Sequence, residues 1–177
     1  MQSNSRTANL LGATALAVTD LALAGATAAA GTSPSGAAAL VVLSGAGGLS
    51  VTELGRRVGL SQSAAARMTD SLEGSGLVTR RPGPGRRVTV EPTPAGRQAA
   101  AHLLSARAAP LDDVLAALDE DEQRTLAALL AKLLARLYGE IGDNELMCRL
   151  CDRPACTAGA TCPVGEARHC RDSSAGP

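Results

Sequence analysis

The five cysteines of this chain stand at positions 148, 151, 156, 162 and 170, inside MCRLCDRPACTAGATCPVGEARHC, and the 147 residues before them contain none. Clustered thiols can hold a metal ion as thiolates, switch by oxidation, or cross-link. The Cys148-x2-Cys151 spacing is that of a metal knuckle, and Cys156 and Cys162 complete a set of four. Pro154 and Gly159 permit the tight turns that wrap a short loop round an ion. Arg149, Arg153, Arg168 and Arg171 are expected to lower nearby thiol pKa values, which favours thiolates for metal binding or oxidation alike. The expected ligands are therefore Cys148, Cys151, Cys156 and Cys162, around zinc or an iron–sulfur cluster; spacing does not separate the two. Cys170 is left over, with His169 beside it as a substitute donor. A metal-free thiol switch and a disordered tail of reactive thiols are the competing readings. No βαβ pattern surrounds the C-x-x-C, which argues against a thioredoxin-like enzyme. His102 stands alone, and there is no P-loop or dinucleotide fingerprint, so the chain is not expected to be an enzyme.

What positions these thiols is a chain of 177 residues, enough for one domain with an appendage. Its core must be aliphatic, since it has no Phe or Trp and a single Tyr. The formal net charge is zero but unevenly spread. Residues 53–97 carry eight arginines against four acids, and residues 112–145 carry nine acids against three bases. A basic middle and an acidic end fit a polyanion-binding part beside one that avoids the polyanion. The apolar stretch 10–31 has only Arg6 before it and is interrupted by Asp20. It reads as a soluble, Ala-rich helix with small residues for close packing, not as a signal peptide or membrane span.

Residues 31–36 form a turn, followed by a short apolar helix over 36–44. Ser50 and Glu53 form a capping-box pattern at the start of a helix that buries Leu54 and Val58 and stops at Gly59. Ser61 caps a second helix, with Ala65, Met68 and Leu72 on one face and Gln62, Ser63, Ala66, Arg67 and Asp70 toward the other. Two short helices joined by a tight turn make a helix-turn-helix. LVTRR (77–81) and RRVTVEP (86–92), joined by PGPG, read as a hairpin with an arginine pair on each strand beside the turn. A basic hairpin directly after a helix-turn-helix is a winged helix, whose second helix enters a major groove while the hairpin tip follows phosphates or a minor groove. Thr93 and Pro94 start the next helix, which Pro110 is expected to kink or break. Leu126, Leu129, Leu130, Leu133, Leu134 and Leu137 then form a wide stripe that needs a partner.

Residues 50–97, SVTELGRRVGLSQSAAARMTDSLEGSGLVTRRPGPGRRVTVEPTPAGR, resemble the MarR family of bacterial winged-helix regulators. The shared features are a recognition helix ending in L-E-x-x-G-L, a wing with an arginine near its tip, and T-P-A-G opening a long helix. The resemblance implies that Ser61, Gln62, Ser63 and Arg67 meet bases and phosphates and that Arg86 enters the minor groove, and the chemistry of each side chain suits those roles. The family often has an aspartate two positions before the wing arginine. Here that position is Pro84, so Arg86 and Arg87 can share the role. Arg80 and Arg81 complete the basic wing, and Arg56 and Arg57 are expected to be solvated or on phosphates. The family commonly binds small aromatic acids, for which this chain offers almost no stacking partner.

The expected fold is mainly α with a small β-hairpin wing: a winged helix-turn-helix plus long terminal dimerisation helices. Its expected parts are a dimerisation helix (1–31), the DNA-binding domain (32–97), further dimerisation helices (98–142) and a cysteine-rich tail (143–177) appended at the dimerisation end. The expected function is a cytoplasmic, homodimeric repressor of transcription that binds double-stranded DNA, has no membrane partner, and is modulated at its cysteines by metal or oxidation. A cytoplasmic setting disfavours a static disulfide knot. The alternative is a metal- or partner-binding protein using the winged helix as an interaction module.

Overall fold

Serine, threonine and aspartate caps punctuate this chain, and helices begin where they fall. The structure, a computed structural model, describes residues 2–82 and 88–174, and their side chains apart from those of 2–4, 29, 30 and 174. Helix α1 (Gln2–Ala30) leads to α2 (Pro34–Ala46), where Ser33 accepts from the Gly36 amide and Pro34 occupies the first turn. Then come α3 (Val51–Val58), α4 (Gln62–Gly74), strands β1 (Val78–Pro82) and β2 (Val88–Pro92), α5 (Pro94–Leu115) and α6 (Glu120–Ile141). The cysteine segment holds α7 (Asn144–Met147), α8 (Arg153–Cys156) and α9 (Pro163–Ser174). The molecule is mainly helical with a small antiparallel wing, as the pattern predicts.

The strands pair in the register Val78↔Pro92 to Pro82↔Val88. Leu49 adds a one-residue third strand, exchanging both backbone hydrogen bonds with Val90 at 3.1 and 2.7 Å. No alternation marks a single residue, so this bridge had no sequence signal. The main core joins Leu40 and Leu43 of α2, Leu54 and Val58 of α3, Met68 and Leu72 of α4, Val78, Val90 and Ala100. The stripes read from spacing in α3 and α4 are therefore buried, whereas the leucine stripe of α6 stays exposed in the single chain.

Three local expectations change. The box at Ser50 is half formed. The Glu53 amide donates to Ser50 Oγ at 3.2 Å, but the Glu53 carboxylate turns instead to Arg56 and Arg57. Helix α5 runs through Pro110 to Leu115. Proline cannot donate to the Ala106 carbonyl, and that oxygen lies against Gly25 of α1, where an added Cβ would sit 2.6 Å from it. The close crossing packs α1 along α5 beside the carbonyl that Pro110 leaves without its helical donor. On length and composition α1 could cross a membrane; its apolar character serves this packing at Ala26, which is fully buried with Ala37 and Leu103.

The third change concerns the tail. Besides packing on α6, it folds back onto the helix-turn-helix, which the spacing did not announce. Leu150 packs on both core clusters, and Leu146 reaches Gly59. Arg171 of α9 donates to the Gly139 carbonyl at 2.8 Å and stacks 4.8 Å from the Tyr138 ring centroid on α6.

Candidate nucleic-acid interface and the cysteine cleft

The first turn of α4 is the most accessible polar edge of the helix-turn-helix. Ser61 caps it, accepting from the Ala64 amide at 3.4 Å. Gln62, Ser63 and Arg67 are exposed beside it, while Ala65, Met68 and Thr69 anchor the opposite face in the core. The guanidinium of Arg67 makes no ion pair among the described residues. Donors and acceptors at a helix N-terminus, with a cation one turn later, suit a groove lined by base edges and phosphates.

The wing arginines divide. Arg80 is held by two carboxylates of α4, with Nη2 donating to Asp70 at 2.6 Å and Nη1 to Glu73, while its backbone amide also donates to Glu73 at 2.9 Å. Two carboxylates of the fold pair with its charge, and the same bonds tie β1 to α4. Arg81 stays two-thirds exposed, with one diagonal cross-strand pair to Glu91 at 3.2 Å. Arg86 and Arg87 lie outside the described residues.

Arg56 and Arg57 belong to a network, contrary to the expectation of solvated or phosphate-bound side chains. Arg56 donates to Glu53 and, at 2.6 Å, to Asp143. Arg57 pairs with Glu53 at 2.8 Å and with Glu145 at 3.2 Å. Helix α7 is thereby docked on α3 by two charge pairs. Nothing in the periodicity links positions 56 and 143, which is why reading the sequence missed this contact. The hydrogen bonds from Arg56, then Arg57, hold the Glu53 carboxyl down at about 2. A group with a depressed folded pKa stabilises above its unfolded value and loses that contribution as pH falls through the folded one. Glu53→Gln should therefore lower stability by up to about 1 kcal/mol above pH 5, the limit for a pair about a third exposed. The gap from the parent should close between about pH 4.5 and 2, and urea melts across that range check it.

The four cysteines 148, 151, 156 and 162 line one cleft of about 550 Å³ between the tail and α2 and α3, together with Arg57 and His169. Cys170 is exposed. Donation from Cys151 holds Cys148 below the ordinary thiol range, and the same bond with burial pushes Cys151 far above it. Desolvation, then Cys151, pushes Cys156 up to about 11. Three of the four expected acidifying arginines have other partners, Arg149 on the Leu146 carbonyl, Arg168 on Asp172 and Arg171 on α6, while Arg153 lines the cleft. Among the described residues no group of three or more His, Cys, Asp or Glu forms a ready metal-holding set.

Comparison with known proteins follows the same geometry. The MarR family profile matches residues 33–87, ending before the cysteine segment. A MarR-family transcriptional regulator from Silicibacter pomeroyi is 30% identical, across 67% of this chain and 84% of that one, with a TM-score of 0.52. The YusO protein from Bacillus subtilis is 27% identical, across 75% and 94%, with a TM-score of 0.65. A MarR-family protein from Mycobacterium tuberculosis, solved in complex with p-aminosalicylic acid, is 28% identical across 71% and 96%, with a TM-score of 0.57. Among curated proteins no match was found.

Proposed function

This chain belongs to the MarR family of winged-helix transcription regulators, and from that premise we propose that it binds operator DNA as a homodimer in the cytoplasm, represses transcription, and is modulated at its C-terminal cysteines. The observation that carries the DNA reading is the exposed first turn of α4, with Ser61, Gln62, Ser63 and the unpaired Arg67 facing away from the core. Gln62 can pair bidentately with adenine and Arg67 with guanine or a phosphate. Arg81, Arg86 and Arg87 supply the wing cations. Arg80, already neutralised by Asp70 and Glu73, is left out of the contact set. A dimer would read two half-sites about one helical turn apart, and occupying that stretch of a promoter excludes polymerase.

The homodimer reading draws on the apolar faces of α1 and α6, where Leu10, Leu11, Leu129, Leu130, Leu133 and Leu137 are all exposed in one chain. A second cleft, between the end of α1 and α4, is lined by Thr27, Thr32, Ser33, Ser71 and Ser75 without an aromatic ring. That lining favours a small polar effector over a stacked aromatic acid.

Selection of bound fragments from genomic DNA, followed by anisotropy titration on the enriched site, tests the function. Arg67→Ala should weaken operator binding about five- to 150-fold if it reads a base, or lower the log–log salt slope by about one if it contacts phosphate. Unchanged affinity and slope would remove α4 from the interface, and no enrichment of any site would overturn the DNA reading.

A further inference from the structure

We propose that Cys148, Cys151, Cys156 and Cys162 are the thiolate ligands of one metal centre, and that α7 carries its occupancy to the DNA-binding lobe through the Asp143–Arg56 and Glu145–Arg57 pairs. The second half of this statement rests on the DNA-binding reading above; the first half does not.

The argument starts from what holds the tail in place. Helices α7 and α8 have four residues each, well below the length at which a helix stands by itself. Among the described tail residues only Val164 is buried. A segment this short cannot be fixed by an apolar core and ordinarily needs a disulfide or a metal. Yet three separate turns bring four sulfurs to one cleft. Cys148 follows α7, and the Cys151 amide returns to its carbonyl at 2.9 Å. Cys156 ends α8, and Cys162 stands immediately before α9.

The surroundings of the sulfurs point to thiolates. The Gly165 amide donates to Cys162 Sγ at 3.4 Å, and a backbone amide aimed at sulfur favours the charged acceptor. Arg153 lines the cleft with no carboxylate partner among the described residues, and offsets part of the negative charge that four thiolates leave on a divalent ion. Zn–S bonds of about 2.3 Å in a tetrahedron put sulfurs about 3.8 Å apart. The four thiols share one cleft, but among the described residues no three of them yet form a set that could hold an ion, so closing onto one requires the tail to adjust around it. Iron–sulfur ligation makes the same demand for four thiolates, so the shared chemistry is a thiolate-held metal.

The route to DNA is short. Asp143 and Glu145 stand five and three residues before Cys148, and both grip α3, the helix that supports α4. Leu146, two residues before Cys148, touches Gly59 in the turn between α3 and α4. An ion that draws Cys148 toward the other thiols moves α7, and with it these contacts to α3 and its turn.

The test uses full-length protein purified without oxygen. Elemental analysis and the absorption spectrum should give either about one zinc per chain and no visible bands, or iron with matching sulfide and charge-transfer bands. Cys151→Ser and Cys162→Ser should lower metal content at least tenfold, whereas Cys170→Ser should keep it. Protein that arrives metal-free is titrated with Zn2+ and Co2+. Failure to bind either at micromolar concentration, with the four thiols titrating freely or found as disulfides, overturns the centre. For the transmission, loaded and stripped protein should differ about five- to 150-fold in operator affinity. The Asp143→Asn, Glu145→Gln double variant should remove that difference and leave metal content unchanged. Equal affinity of loaded and stripped parent overturns the transmission. Absence of DNA binding in both forms overturns the DNA reading instead, and metal content still decides the centre.

Discussion

Replacing Leu133 and Leu137 together by aspartate should halve the mass measured by light scattering, from about twice 17.7 kDa to a single chain. These leucines are 40% and 48% exposed, and their neighbours Leu129, Leu130 and Leu134 are also exposed. Helix α6 finds its partners within the chain chiefly in α9 and α7. It begins with a complete capping box, Asp119 with Glu122, so it persists without the apolar face being covered. Covering a leucine side chain is worth about 1.5–3 kcal/mol. Four such residues from each of two copies amount to an interface on the order of 10 kcal/mol before association costs. Two aspartates per copy placed at its centre lose that burial and add unpaired charge. Operator affinity should fall at least about a hundredfold, because each lobe then meets its half-site alone. Helix content should not change, since both positions face solvent in the single chain. A double variant that keeps its dimer mass would move the interface away from α6.

Gly96→Ala should lower the melting temperature by roughly 6–12 °C, for a loss of about 3 kcal/mol in a chain of this size. A Cβ at this position would sit 1.9 Å from the Leu77 carbonyl oxygen and 3.0 Å from its carbon. Those atoms belong to backbone, and the same carbonyl accepts from the Thr93 amide at 3.0 Å. Thr93 Oγ1 also donates to the Gly76 carbonyl at 2.7 Å. The start of α5 is thus fastened to the turn that follows α4, and one methyl group must separate them. Gly74→Ala is the matched comparison, because nothing lies within 4 Å of its Cβ position. That change should be neutral or add up to about 1 kcal/mol, as expected for alanine replacing glycine in a helix. A Gly96→Ala melt within 2 °C of the parent would show that α5 can shift freely.

Much of the fold was legible because its signals are local. Ser61 before Ala65, Met68 and Leu72 announces α4, and Thr93-Pro94 announces α5. The helix continues through Pro110 without breaking, and the spacing could not show that Gly25 of another helix lies against the carbonyl that proline leaves free. The pairs that Arg80 makes with Asp70 and Glu73, one helix earlier, likewise left no trace in the spacing. The ligand candidates in the tail were visible as spacing. Their position over α2 and α3 was not, because Arg56–Asp143 joins residues 87 positions apart and leaves no periodic trace.

The bond set of Arg80 has a mechanical consequence. Two side-chain links and one backbone link join β1 to α4, so wing and recognition helix share almost no independent degree of freedom. A signal cannot be expressed by tilting one against the other. In the dimer proposed above, an adjustment on DNA would then fall on the distance between the two reading heads and not on the angle between wing and helix.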